Sequence, residues 1–138
     1  MKISWPVRII AILAGVMLLA LLLTARSLQP SPDGLGTHQQ LGLPPCTSMA
    51  LFLVRCPACG MTTSWALATR GRFFEAASVN VGGLMLAIIA LAYLPASWYF
   101  FTRGTASRGE WFSMALAISL AVSLLAASIQ WVYRVMYG

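Results

Sequence analysis

Trp111 to Tyr133 is a run of 23 residues without a charge, stopped by Arg134. At about 1.5 Å rise per residue, a helix of that length crosses the roughly 30 Å hydrocarbon core of a bilayer. Trp111 and Trp131 mark its ends at the spacing of the aromatic belts found at membrane surfaces. Ile9 to Ala25 is likewise uncharged over 17 residues, with Lys2 and Arg8 before it and Arg26 after it. It just spans if Arg8 snorkels outward. Its exit, Leu23-Thr24-Ala25, lacks the small residue that an A-x-A cleavage site needs at its first position, so the run reads as an uncleaved anchor. Ala76 to Thr102 also carries no charge. A span is expected there over residues 80–102, kinked by Pro95 and ending in the aromatic cluster Trp98-Tyr99-Phe100 before Arg103. Inside lipid the backbone must satisfy its own hydrogen bonds, and apolar runs of this length do so as helices.

Composition agrees with that class and removes others. Only 9% of the residues are charged, against roughly 25% in an ordinary soluble domain. The net charge of +6 does not mark a nucleic-acid binder, because the basic residues punctuate the ends of apolar runs instead of forming a patch. Asp33, Glu75 and Glu110 are the only acids and His38 the only imidazole. Paired-carboxylate catalysis therefore has almost no raw material, and any triad would have to be built on His38.

Between the first two runs the chain changes character. Residues 26–48 are rich in Gly, Pro, Ser and Gln and read as an exposed extracytoplasmic loop. Residues 49–71 read as a re-entrant or interfacial element with irregular backbone around Pro57. It holds a short helix opened and capped by Thr62, Thr63 and Ser64 and closed by Gly71. The expected fold is thus all-α and integral to the membrane: spans over 9–25, 80–102 and 111–133, plus a half-inserted cysteine-bearing element, in one domain. The alternative is a fourth span over 47–69, which the positive-inside count favours (Lys2, Arg8, Arg70, Arg72 and Arg134 against Arg26, Arg103 and Arg108) and the burial of Arg55 opposes. Both arrangements put Cys46 on the far side from the N-terminus. Arg70 and Arg72 are expected at lipid headgroups, with Glu75 in reach of an ion pair.

Chemistry in this chain is concentrated in three cysteines, Cys46, Cys56 and Cys59. A C-x-x-C can be a redox dithiol, half of a metal site or a crosslink. Cys46, Cys56, Cys59 and His38 make a Cys₃His set suited to zinc or another metal. The three cysteines alone fall short of two pairs for an electron relay. A bridge from Cys46 to Cys56 or Cys59 would staple the loop to the half-inserted element. No His follows Cys59, which excludes haem attachment. Asn80, a lone amide at the entrance of the second span, could tie the cysteine element to that helix. On the last span Ala115, Ser119, Ser123 and Ala127 recur every four residues. This small-residue stripe suits close packing against the protein's own second span, or against another membrane subunit.

The segment Pro44-Pro45-Cys46, the run Cys56-Pro57-Ala58-Cys59-Gly60-Met61-Thr62, Gly71 and Asn80 together resemble a small bacterial membrane family known as a domain of unknown function, number 2752. The resemblance extends from about Leu43 to Leu94. It implies a membrane-embedded cysteine module and no established activity. Many members carry Arg where Thr63 stands and Pro where Val81 stands, so no role is carried over for that Arg. The reading at this point is a multi-pass protein of a bacterial cytoplasmic membrane. It is expected to act as an accessory or scaffold subunit docked in a larger membrane complex, with no resident cofactor. The alternative is a thiol-disulfide or metal-binding protein centred on the C-x-x-C.

Overall fold

The computed structural model describes residues 4–103 and 106–137. Lys2 lies outside the described residues, as do the side chains of Phe100 and Arg108. Among the described residues six α-helices follow one another: α1 (Trp5–Ser27), α2 (Thr47–Phe52), α3 (Met61–Ala68), α4 (Phe73–Val79), α5 (Val81–Arg103) and α6 (Ala106–Tyr137). A 3₁₀ turn, Thr37–Leu41, interrupts the first loop. No strand occurs among the described residues. Three helices, α1, α5 and the Glu110–Tyr137 part of α6, are long and apolar enough to cross a membrane. The fourth span over 47–69 is not adopted. Leu53 takes a left-handed φ of 54° that ends α2, and the turn through Pro57 separates α2 from α3.

Helix α5 is the centre of the bundle, because α1 and α6 each pack on it and not on each other. Small residues set both contacts. At Gly15 of α1 a Cβ would come within 2.5 Å of Ser97 Oγ. At Gly82 of α5 it would come within 2.5 Å of the Ser123 carbonyl and 2.6 Å of Ala127 Cβ. Backbones meeting this closely maximise dispersion contact, which is how membrane helices associate without a hydrophobic drive between them. Ser123 and Ala127, both buried, are thus packed against α5 of the same chain, whereas Ala115 is exposed and Ser119 only partly covered. At the other end Arg8 donates to the Phe101 carbonyl at 3.1 Å, and Trp5 stacks on Phe101 with ring centroids 5.9 Å apart. The start of α1 therefore lies beside the end of α5, so the two run antiparallel. The α5 helix passes through Pro95 without ending.

Outward faces are almost wholly apolar: Leu13, Val16 and Met17 of α1 and Leu124, Leu125 and Ile129 of α6 are all exposed. Surfaces of this kind are compatible with contact to lipid and far exceed the apolar patches of soluble monomers.

The short helices gather over one end of the bundle. Leu67, Ala68 and Ala76 form a buried cluster with Ala87, flanked by Trp65, Val79 and Leu84. Ala87 stands six residues into α5, so the cap reaches about 9 Å down that helix. By contrast α2 packs on no other described element.

Replacing Gly82 with Ala is expected to cost about 1–3 kcal/mol, the range for over-packing a tight contact. A lowered unfolding midpoint in detergent would register it, while Gly42→Ala, where nothing lies within 4 Å of the added Cβ, isolates the ordinary penalty for leaving a left-handed turn.

Candidate functional site

The cysteine loop is built around two backbone requirements. The Cys59 N–H donates to the Cys56 carbonyl at 3.0 Å and the Met61 N–H to the Ala58 carbonyl at 3.1 Å, closing two successive turns. Gly60 then turns the chain into α3 at φ 83°, in the left-handed region that glycine tolerates best. A Cβ there would also lie 2.7 Å from Val79 Cγ1 and 2.8 Å from the Gly34 carbonyl. Gly60 is therefore the residue preceding α3, and no side chain caps the helix. This corrects the expectation for Thr62, Thr63 and Ser64. Buried Thr63 shares a 2.7 Å hydrogen bond with Thr37 Oγ1, and buried Ser64 donates to the Ala76 and Asn80 carbonyls at 3.0 Å each. Thr62 lines the cavity described below. Thr63 and Ser64 each reach to another segment because tertiary partners were available where a local cap was not needed. The helix closes as expected at Gly71, φ 76°, where the Arg72 N–H returns to the Leu67 carbonyl at 3.1 Å in the Schellman pattern.

Asn80 joins this loop to the membrane span. It is 2% exposed. Its Oδ1 accepts from the Gly83 N–H at 2.8 Å, capping α5. Its Nδ2 donates to the carbonyls of Pro57 (3.0 Å) and Cys59 (3.2 Å), on both sides of the loop. The next residue is Val81, whose N–H donates to Gln130 Oε1 at 2.8 Å. Gln130 Nε2 in turn donates to the Ala77 carbonyl at 3.0 Å. A proline at that position would have no N–H to satisfy, so Gln130 on α6 answers a need created by Val81. Around the same end, Arg134 donates to the Ser78 and Val79 carbonyls and Trp131 Nε1 to the Arg55 carbonyl. Arg70 donates to the carbonyls of Ala66, Arg26 and Leu28 at 2.7–2.8 Å. Its guanidinium thereby serves the orphan carbonyls ending α1 and α3, which need donors. Arg72 pairs with Glu75.

The three sulfurs meet in a triangle. Cys56 Sγ lies 3.0 Å from Cys59 Sγ, Cys59 Sγ 3.3 Å from Cys46 Sγ, and Cys46 Sγ 3.5 Å from Cys56 Sγ. A disulfide needs about 2.05 Å, so all three are free thiols and the bridge expected from Cys46 is not formed. The C-x-x-C pair is the closest, and Cys46 Sγ stands only slightly farther from both. The Cys56 N–H donates to Cys59 Sγ at 3.2 Å. The backbone N–H of Met49 and hydrogen bonds from the Cys59 and Cys56 thiols hold Cys46 down at about 7. Burial pushes Cys59 up to about 12, aided by its hydrogen bonds with Cys56 and Cys46. One face of the triangle opens on a cavity of about 890 Å³ shared with His38, Met49 and Met61. Among the described residues the cluster of metal-ligating side chains holds the three cysteines alone. His38 stays out of it, its Nε2 lying 3.1 Å from the Pro44 carbonyl.

An all-helical chain with three membrane-length helices and a converged cysteine cluster at one end has the make-up of a multi-pass membrane protein with a thiol site. Residues 46–94 match the family model described as Protein of unknown function (DUF2752). That stretch begins at Cys46 and ends within α5, so the similarity covers the cysteine module and its supporting helix and leaves out α1 and α6. No curated protein and no solved structure matches the chain.

Sequence reasoning did not single out Thr37, Gly34 or Gln130. Gln130 carried a signal, as an amide set in an apolar run four residues before Arg134. Thr37 and Gly34 carried none, since nothing local distinguishes them from other loop residues.

Asn80→Asp keeps the acceptor that caps α5 and removes both donors to the loop, an exchange expected to cost about 2–5 kcal/mol for two buried carbonyls left unpaired beside a charge. Chemical unfolding in detergent checks it, with Asn80→Ser as the variant that retains a cap. In the reduced protein Cys46 should alkylate first, its rate climbing as the thiolate forms on raising pH through about 7. Cys59 should lag far behind at every pH from about 6 to about 10, since only thiolate reacts. Mass-spectrometric mapping of the modified cysteines reads the order.

Proposed function

We propose that this chain is a small accessory protein of a bacterial cytoplasmic membrane that presents a thiolate metal-binding site at one end of its helix bundle. The observation that carries this reading is the sulfur triangle, with edges of 3.0–3.5 Å and no bonded pair. Ligands about 2.3 Å from a zinc-like ion stand roughly 3.8 Å apart, so a small outward rotation of each side chain makes room for an ion. N–H groups aimed at Cys59 and Cys46 favour the thiolate, which is the form that binds metal. Cys46 Sγ, at 3.3 and 3.5 Å from the other two sulfurs, supplies a third donor where a dithiol needs only two. Zinc and other thiophilic ions fall within this reading, and the fourth coordination position faces the cavity.

A second reading is a scaffold docked in a larger membrane assembly. It is favoured by the exposure of Ala115 and of the neighbouring apolar face of α6, although Ser123 and Ala127 are already occupied by Gly82. On that reading the cysteines serve only to shape the cap.

Purification in detergent under reductant, followed by metal analysis and cobalt(II) titration, separates the two. The metal reading expects one ion per chain, thiolate-to-metal charge-transfer absorption, and a loss of affinity of about 100-fold or more when Cys46, Cys56 or Cys59 is changed to Ser. Absence of bound metal in the reduced protein, with a partner complex that survives replacement of all three cysteines, would leave the scaffold.

A further inference from the structure

The donor set decides which ion suits the triangle. Resting on the metal-site reading above, we propose that the site is selective for monovalent copper, Cu(I), bound by the sulfurs of Cys46, Cys56 and Cys59 in three-coordinate geometry, with Met49 and Met61 as thioether contacts along its route from the cavity.

Three observations point the same way. First, the convergent donors are all sulfur. No His, Asp or Glu joins the cluster among the described residues, although His38 and Asp33 line the same cavity. His38 is engaged elsewhere, with Nε2 on the Pro44 carbonyl. Soft thiolate donors suit Cu(I) and zinc alike, but closed zinc sites take four protein ligands, so the count of three is what favours Cu(I).

Second, two soft thioether side chains share the cavity with the ligands. Met49 stands three positions after Cys46, and Met61 two positions after Cys59. Both are partly buried, and both line the cavity with all three cysteines. A thioether is neutral and polarisable. It can hand on a soft monovalent ion and adds little for a divalent borderline one.

Third, the charge behind the site favours the more negative complex. Three thiolates around Cu(I) carry a net charge of −2, against −1 around a divalent ion. Cys56 and Cys59 also line a second, small pocket with Arg55 and Arg134, together with Asn80, Gln130 and Trp131. Among the described residues no carboxylate lines that pocket, and the Arg134 guanidinium is held there on the Ser78 and Val79 carbonyls. Beside two guanidinium groups a dianionic copper-thiolate unit is better compensated than a monoanionic one.

Loading is ligand exchange and involves no electron transfer: Cu(I) enters as Cu(I), three Cu–S bonds form, and the protons carried by the thiols leave to solvent.

The full chain, reduced and anaerobic in detergent, is titrated with Cu(I) delivered from a chromophoric chelator, then challenged with excess zinc and examined by X-ray absorption at the copper edge. The expected result is one Cu(I) per chain, a shell of three sulfurs without nitrogen, and no displacement by zinc. Met49→Leu with Met61→Leu should keep the three-sulfur shell while weakening or slowing capture about tenfold, the scale on which outer contacts tune a metal site. Displacement of Cu(I) by zinc, or a nitrogen in the shell that disappears in His38→Ala, overturns the copper assignment and leaves a metal site standing. Unchanged capture in the double methionine variant overturns the route. Binding of neither ion above the level of a protein with all three cysteines changed to Ser sinks the copper assignment and the metal reading together.

Discussion

Three hydrogen bonds from one side chain hold this molecule's two halves in register. Asn80 is set between α4 and α5 in extended backbone, φ −160° and ψ 106°, and that corner lets the short helices fold back over the bundle. Its amide has one acceptor and two donors in use, the acceptor on the membrane span and the donors on the cysteine loop. An ordinary hydrogen bond contributes about 1 kcal/mol net. Here the groups are buried at the edge of an apolar bundle, where an unpaired carbonyl costs more than a paired one contributes. The position of Cys59 relative to α5 is therefore set by a contact with no slack in it.

The rest of the structure divides by solvent. The long helices bury few side chains and touch through Gly15, which meets the Ser97 side chain, and Gly82, which meets the Ser123 backbone. In lipid this is sufficient, since nothing drives their apolar faces inward. The cap is the opposite. There the chain makes several helix ends in a short distance, and each end leaves carbonyls without partners. Arg70, Arg134, Gln130 and Ser64 supply donors to them. Two of those side chains come from α6, far away in sequence, which explains how a helix outside the matched family region can still take part in supporting the module.

Legibility in the sequence followed the same division. The spans could be read because length and absence of charge are constraints that lipid enforces without reference to neighbours. Gly71 could be read because its turn is local. Thr62, Thr63 and Ser64 could not. Their composition is that of a helix start, but Gly60 takes that position in a left-handed turn, and the hydroxyls of Thr63 and Ser64 go to Thr37 and to α4, partners invisible until the chain has folded. The carbonyl partners of Arg70 were hidden for a related reason: which carbonyls a guanidinium at a helix end meets is decided only by the packing of α1 beside α3. The cysteines could be located but not arranged, because spacing alone says nothing about a third sulfur arriving from a separate segment.

That segment sets the mechanics of the triangle. Cys56 and Cys59 belong to a loop gripped at two carbonyls by Asn80, whereas Cys46 precedes α2, which rests on no neighbouring helix. The clasp thus has two fixed jaws and one on a lever. Any guest would be seized by the fixed pair and sealed in by the lever, and would escape in the reverse order, with Cys46 letting go first.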